Sequence, residues 1–166
     1  MLRRLLVVVA LACLAAPVAA SASASRQVEV IPVDETFPVD HGCGFPIMEH
    51  QSGTFQFATF FNSDGVPTKS IITVRSHYVV TLSANGKALL GVSPYATKII
   101  YDDAGGVASQ TLTGLKGSFR IPHGGVLVLD TGRLVEDADG NVVFEAGPHP
   151  LHDGTAQARL CDYFAS

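Results

Sequence analysis

From Gln27 onward the apolar residues alternate with polar ones or gather in short runs, and Gly, Pro, Asn and Asp interrupt them at intervals of roughly ten residues. That rhythm belongs to an antiparallel β protein. It predicts strands over residues 27–33, 54–61, 70–74, 77–83, 88–91, 97–101, 107–115, 118–121, 125–136 and 142–146. Hairpin chemistry stands between three neighbouring pairs: Asn85-Gly86, Ala104-Gly105-Gly106 and Asp137-Ala138-Asp139-Gly140-Asn141 each supply residues that tolerate positive φ. Within 54–61 the alternation places Phe55, Phe57 and Phe61 on one face with Thr59, and Thr54 and Gln56 on the other. The aromatic face is core, each ring contributing about 2 to 3 kcal/mol through buried apolar area. The weak helical candidate is 155–164, where Ala156, Leu160 and Phe164 recur with a period near four, and strand alternation fits it almost as well. Many short strands without a long helix point to an all-β fold, a single antiparallel β-barrel or alternatively a β-sandwich, because both protect the edges of a long meander.

Residues 1–24 do not belong to that pattern. Arg3 and Arg4 precede a charge-free apolar run from 5 to 16, followed by Pro17 and small residues. The run is far shorter than the roughly 20 apolar residues of a spanning helix and matches a cleavable signal peptide, with cleavage after Ala20, Ala22 or Ala24. The rival is a lipid anchor on Cys13. Ala10 and Leu11, however, stand where such a site has a large aliphatic residue and then a small one. The expectation is a secreted or extracellular protein whose single domain is residues 25–166, with no transmembrane segment once the signal is removed.

Removal also changes the charge. Eleven Lys and Arg against fifteen Asp and Glu become nine against fifteen, because only Arg3 and Arg4 are lost, so the domain carries a formal −6. Its basic residues, among them Lys69, Lys87, Lys116 and Arg159, are spread singly. Nucleic-acid binding, which needs a clustered basic face, is thereby disfavoured. Richness in Val, Ile, Leu, Phe and Thr with few charges argues against disorder.

Two cysteines remain after cleavage, Cys43 and Cys161, 118 positions apart. In an oxidising compartment they are expected to bridge and tie the ends of the domain together. A metal pair with His41, or free thiols, are the rivals, and neither has a motif. The segment Pro148-His149-Pro150-Leu151-His152-Asp153 gathers two imidazoles and an acid, but a proline turn with solvated rings is the plainer reading, and no metal or other cofactor is expected. Asp137, Asp139 and Asn141 resemble the opening of a calcium loop, yet the strand resumes at Val142 where further ligands are needed, so a hairpin turn is the better reading. Around Ser93 the second glycine of a nucleophile elbow is missing. His77 and Glu145 lie within apolar strands, where an inward orientation would make them acid–base candidates.

The blocks Gly42-Cys43-Gly44-Phe45-Pro46, Asp130-Thr131-Gly132-Arg133-Leu134-Val135, Asp139-Gly140-Asn141, 142–149 ending in Ala146-Gly147-Pro148-His149, and Leu160-Cys161 together resemble small exported proteins of high-GC Gram-positive bacteria. The Thr-Gly-Arg to Ala-Gly-Pro-His stretch is the most specific part. That resemblance implies export, a β-rich domain and paired cysteines. The family has no assigned activity, so no catalytic residue is carried over.

Three functions remain. A binding module would hold a small apolar ligand against Phe55, Phe57 and Tyr78, or grip a component of the cell envelope with its loops. A barrel enzyme, an isomerase, cyclase or hydrolase, would place His77, His123 or His149 beside a carboxylate in a cavity. A surface-interaction domain would need neither.

Overall fold

The computed structural model describes residues 24–74 and 77–166. The signal segment with Cys13, Ala20 and Ala22 lies outside the described residues. Among the described residues nine strands form one antiparallel sheet: β1 (Ser25–Val39), β2 (Ile47–Phe61), β3 (Pro67–Val74), β4 (Val79–Ala84), β5 (Lys87–Val92), β6 (Tyr95–Tyr101), β7 (Val107–Arg120), β8 (Val126–Asp137) and β9 (Val142–Ala146). The helix α1 (Thr155–Ala165) follows them.

The pairing is a meander with two stacked positions. β3 and β4 lie one after the other along the same edge of β2, Phe55 facing Val74 and Ser52 facing Val79. β6 and β5 succeed one another along β7 in the same way, Tyr95 facing Gly114 and Val92 facing Ser118. The sheet is therefore continuous from β1 to β9, with a gap in its pairing where two rows are interrupted, between β3 and β4 and between β5 and β6. All nine strands belong to this one sheet. Among the described residues β1 pairs only with β2 and β9 only with β8, so hydrogen bonding leaves both outer edges open, where closure of a barrel would join them.

Several strands run longer than the alternation predicts. The predicted strand 27–33 already contains Pro32, and β1 continues from it through Pro38 to Val39, because on an edge strand a proline can turn its missing N–H away from the ladder. β2 likewise runs through Gly53. The predicted break between 115 and 118 is a bulge at Leu115/Gly117 within one strand, β7. The Asn85-Gly86, 104–106 and 137–141 connections are hairpin turns as expected. At 137–141 the Asp137 carboxylate accepts the N–H groups of Asp139 and Asn141 and the Asn141 amide, which occupies it within the turn.

Segment 155–164 resolves as helix, and its three periodic residues are the ones that face the sheet: Ala156, Leu160 and Phe164 are buried. They pack with Ile47, Tyr78, Val80, Leu82, Leu89, Phe119 and Val128 into the main apolar cluster. Alternation along β4 (Val80, Leu82) and β8 (Val128, Asp130) marks the covered face. The helix end is closed by the β4–β5 turn, where Asn85 Nδ2 donates to the Phe164 carbonyl and Lys87 Nζ to the Tyr163 carbonyl (2.8 Å), a cation at the negative end of the helix dipole. At the other side Cys43 and Cys161 form a disulfide, Cα atoms 5.1 Å apart, that fastens the β1–β2 connection to α1. No helix among the described residues is long and apolar enough to cross a membrane.

Candidate functional site

The gap in the sheet pairing opens onto a cleft of ≈ 220 Å³ between the sheet and α1. β2 contributes Glu49 and Gln51, β4 Val80 and Leu82, β7 Lys116 and Phe119, and the far wall is Leu151 and Leu160. The interrupted rows supply Tyr78, Ser93 and Tyr95. Irregular backbone is held there by local bonds: Leu115 N–H donates to the Pro94 carbonyl (3.1 Å), and the Ser93 hydroxyl donates to the Lys116 carbonyl. Tyr78 reaches its position because Gly53 lies beside it. A Cβ on Gly53 would stand 2.8 Å from the Tyr78 Cα, so any larger residue would push the tyrosine backbone off β2.

A polar chain runs along one wall. The Tyr78 hydroxyl donates to Gln51 Oε1 (2.5 Å), and Gln51 Nε2 donates to Glu49 Oε1 (2.5 Å). With its proton engaged, the Tyr78 oxygen presents an acceptor to the cleft. Burial pushes the Tyr78 pKa up from 10.0 to about 12, with Tyr95, Glu49 and Glu35 adding to the rise, and burial also raises Tyr95. A tyrosine whose folded pKa exceeds its unfolded value contributes stability that is complete below the unfolded pKa and is lost as pH rises toward the folded one. Denaturant titrations should therefore show stability falling between pH 10 and pH 12, with a shallower fall in Tyr78→Phe.

His41 completes the cleft. It comes from the β1–β2 connection, two residues before the disulfide, and its Nε2 is buried without a hydrogen-bond partner among the described residues. A buried polar nitrogen left unpaired costs roughly 1 to 3 kcal/mol.

Of the three residues expected to bind ligand, Tyr78 lines this cleft, while Phe55 and Phe57 do not. Phe55 packs edge-on against Tyr78 (centroids 5.0 Å) and Phe57 lies beyond it (6.3 Å from Phe55), so the pair backs the tyrosine. Sequence reasoning missed Glu49, Gln51 and Lys116. The chemistry of His41 was noticed only as a partner for Cys43.

The histidines expected to serve an enzyme separate clearly. His77, His123 and Glu145 are exposed. His149 is not the solvated ring of a proline turn: it is 3% exposed, with Nδ1 3.1 Å from Asp130 Oδ1, and Asp130 is fully buried. The other ring nitrogen lies 3.2 Å from the Ala146 carbonyl, so both ring nitrogens face protein oxygens. Asp130 Oδ2 accepts the Leu151 N–H. Beside this pair Thr131 N–H donates to the Pro148 carbonyl, and Gly132 and Gly147 let β8 and the following loop touch backbone to backbone, where a Cβ on either would strike the opposite carbonyl. The Asp130-Thr131-Gly132 and Gly147-Pro148-His149 blocks are thus two halves of one clasp that sets the approach to α1. His149 and Asp130 do not line the cleft. Among the described residues no group of three His, Cys, Asp or Glu is placed to hold a metal ion.

Comparison with protein-family models, curated proteins and solved structures returns no match.

Proposed function

We propose that the protein is exported, loses residues 1–24, and acts outside the cytoplasm as a binding module that holds a small, mainly apolar molecule between its sheet and α1, in the manner of an incompletely closed barrel. The observation that carries this reading is a cleft with an apolar wall of Val80, Leu82, Phe119, Leu151 and Leu160 and a polar side of Glu49, Gln51, Tyr78 and Lys116, lined also by His41, whose Nε2 is buried with no partner among the described residues. A ligand with one polar atom and an apolar body satisfies both features. Its size is bounded by the ≈ 220 Å³ cleft, since an engineered apolar cavity of about 150 Å³ accommodates benzene. A single ring with short substituents and one hydroxyl or carbonyl is the class that fits. The disulfide and the segment at 1–24 support an extracellular setting.

Catalysis is the weaker reading. The one buried His–carboxylate pair among the described residues spends both ring nitrogens on protein acceptors, leaving none for a substrate.

Native mass spectrometry of protein recovered from its exporting host, followed by thermal-shift titration with substituted phenols and cyclic ketones, tests the proposal. A bound mass or a saturable rise in melting temperature is expected. His41→Ala should weaken binding on the order of tenfold, the loss of about one hydrogen bond, whereas Phe57→Leu should leave it unchanged. Repeated recovery of ligand-free protein that none of these compounds stabilises would overturn it.

A further inference from the structure

We propose that β1 pairs with β1 of a second copy, antiparallel across a two-fold axis at Val30, to form a homodimer with one continuous sheet. This rests on the edge strand and not on the cleft. β1 is fifteen residues long, bonded on one side only among the described residues, and leaves Val28 and Val30 46% and 59% exposed. A long edge with apolar side chains is a template for another strand unless it is blunted or covered.

The two prolines fix which groups the edge offers. Pro32 and Pro38 sit within an unbroken ladder to β2, so their positions are those that point away from β2. Residues alternate along a strand, so the backbone groups of Arg26, Val28, Val30 and Asp34 point outward too. Centring the pairing on Val30 sets these outward residues against one another. Val30 meets its own copy, Val28 meets the second copy's Pro32, and Arg26 meets the second copy's Asp34, twice by symmetry. Pro32 lacks an N–H, so the Val28 carbonyl opposite it stays with solvent, and the other donors between Arg26 and Asp34 find acceptors. On the opposite face Glu29 meets Ile31, and no like charges are opposed. Centring on Pro32 instead would set proline against proline and Glu29 against Glu35. The charge pattern of the strand is thus self-complementary in one register. Both charges are available for it: Asp34 has an 82% exposed side chain and lies 3.6 Å from His50, and Arg26 rests over the Phe60 ring. A two-fold contact also closes on itself, which pairing of β1 with the exposed β9 edge of another copy would not.

Sedimentation velocity of the purified protein from micromolar to millimolar concentration should show a monomer–dimer equilibrium. Arg26→Asp alone and Asp34→Arg alone should each weaken it on the order of tenfold or more, since each sets two like-charge pairs across the axis. An equimolar mixture of these two variants should recover a dimer. In the mixed pair the introduced aspartate of one chain faces the introduced arginine of the other, and the unchanged Asp34 of the first faces the unchanged Arg26 of the second. Unchanged melting curves of the single variants would show that the fold is intact. A monomer at every concentration, a dimer indifferent to both substitutions, or open-ended polymers would overturn the proposal.

Discussion

Asp130→Ala is expected to lower the melting temperature by about 10 °C, the result of losing roughly 3 to 5 kcal/mol when one partner of a buried, hydrogen-bonded pair is removed. The loss has two parts. The His149 ring keeps its place inside the protein with no carboxylate beside Nδ1, and the Leu151 N–H loses its acceptor. Asp130→Asn keeps the shape and an acceptor oxygen and should cost less, while His149→Phe combined with Asp130→Leu should cost less than the sum of the single changes, because neither polar side chain is left buried without the other. Differential scanning calorimetry of these variants beside the parent protein measures this. Additive losses would show that the two residues are merely near each other.

Reduction of the Cys43–Cys161 bridge is the second large effect. With a sequence separation of 118 between its ends it constrains the unfolded chain strongly, and the chain-entropy model gives about 4 to 5 kcal/mol. The guanidinium midpoint should fall on adding a thiol, and Cys43→Ala/Cys161→Ala should match the reduced protein and ignore the thiol. A functional effect accompanies it. His41 is two residues from Cys43, so the connection that carries it into the cleft loses its tether to α1. Ligand affinity measured well below the new midpoint should therefore drop even though the protein remains folded. Equal affinity in the reduced and oxidised forms would separate the cleft from the bridge.

The fold class was legible because it depends on alternation, which is local: Val80 and Leu82, or Phe55 and Phe57, declare a strand without any knowledge of their neighbours. The far end of β1 was not legible, since Pro38 breaks a strand in general but not at an edge, and edge status depends on what fails to pair alongside. The helix at 155–165 was ambiguous for a related reason. Its propensity is modest, and it owes its stability to Ala156, Leu160 and Phe164 meeting a sheet assembled from residues far away in sequence. Tyr78 could be singled out as an aromatic beside a strand, but its hydroxyl partner Gln51 lies 27 positions earlier, and nothing in either residue's surroundings announces the other. His149 was misread because a ring between two prolines looks solvated until β8 brings Asp130 to it. The shared difficulty is that polar residues acquire their roles from long-range partners, whereas apolar ones reveal theirs by period.

The helix covers only part of the sheet. The main apolar cluster uses the first part of β2, β4, β5, the last part of β7 and the first part of β8, while β3 contributes only Val74 and β6 only Tyr95. β9 is exposed along its whole length. In a library of random substitutions selected for folding, positions under α1 would admit few replacements, and away from it the constraint would narrow to the buried positions Ala58, Ser70, Thr97, Leu112 and Leu134. The exposed residues between them, and β9, would drift widely in sequence.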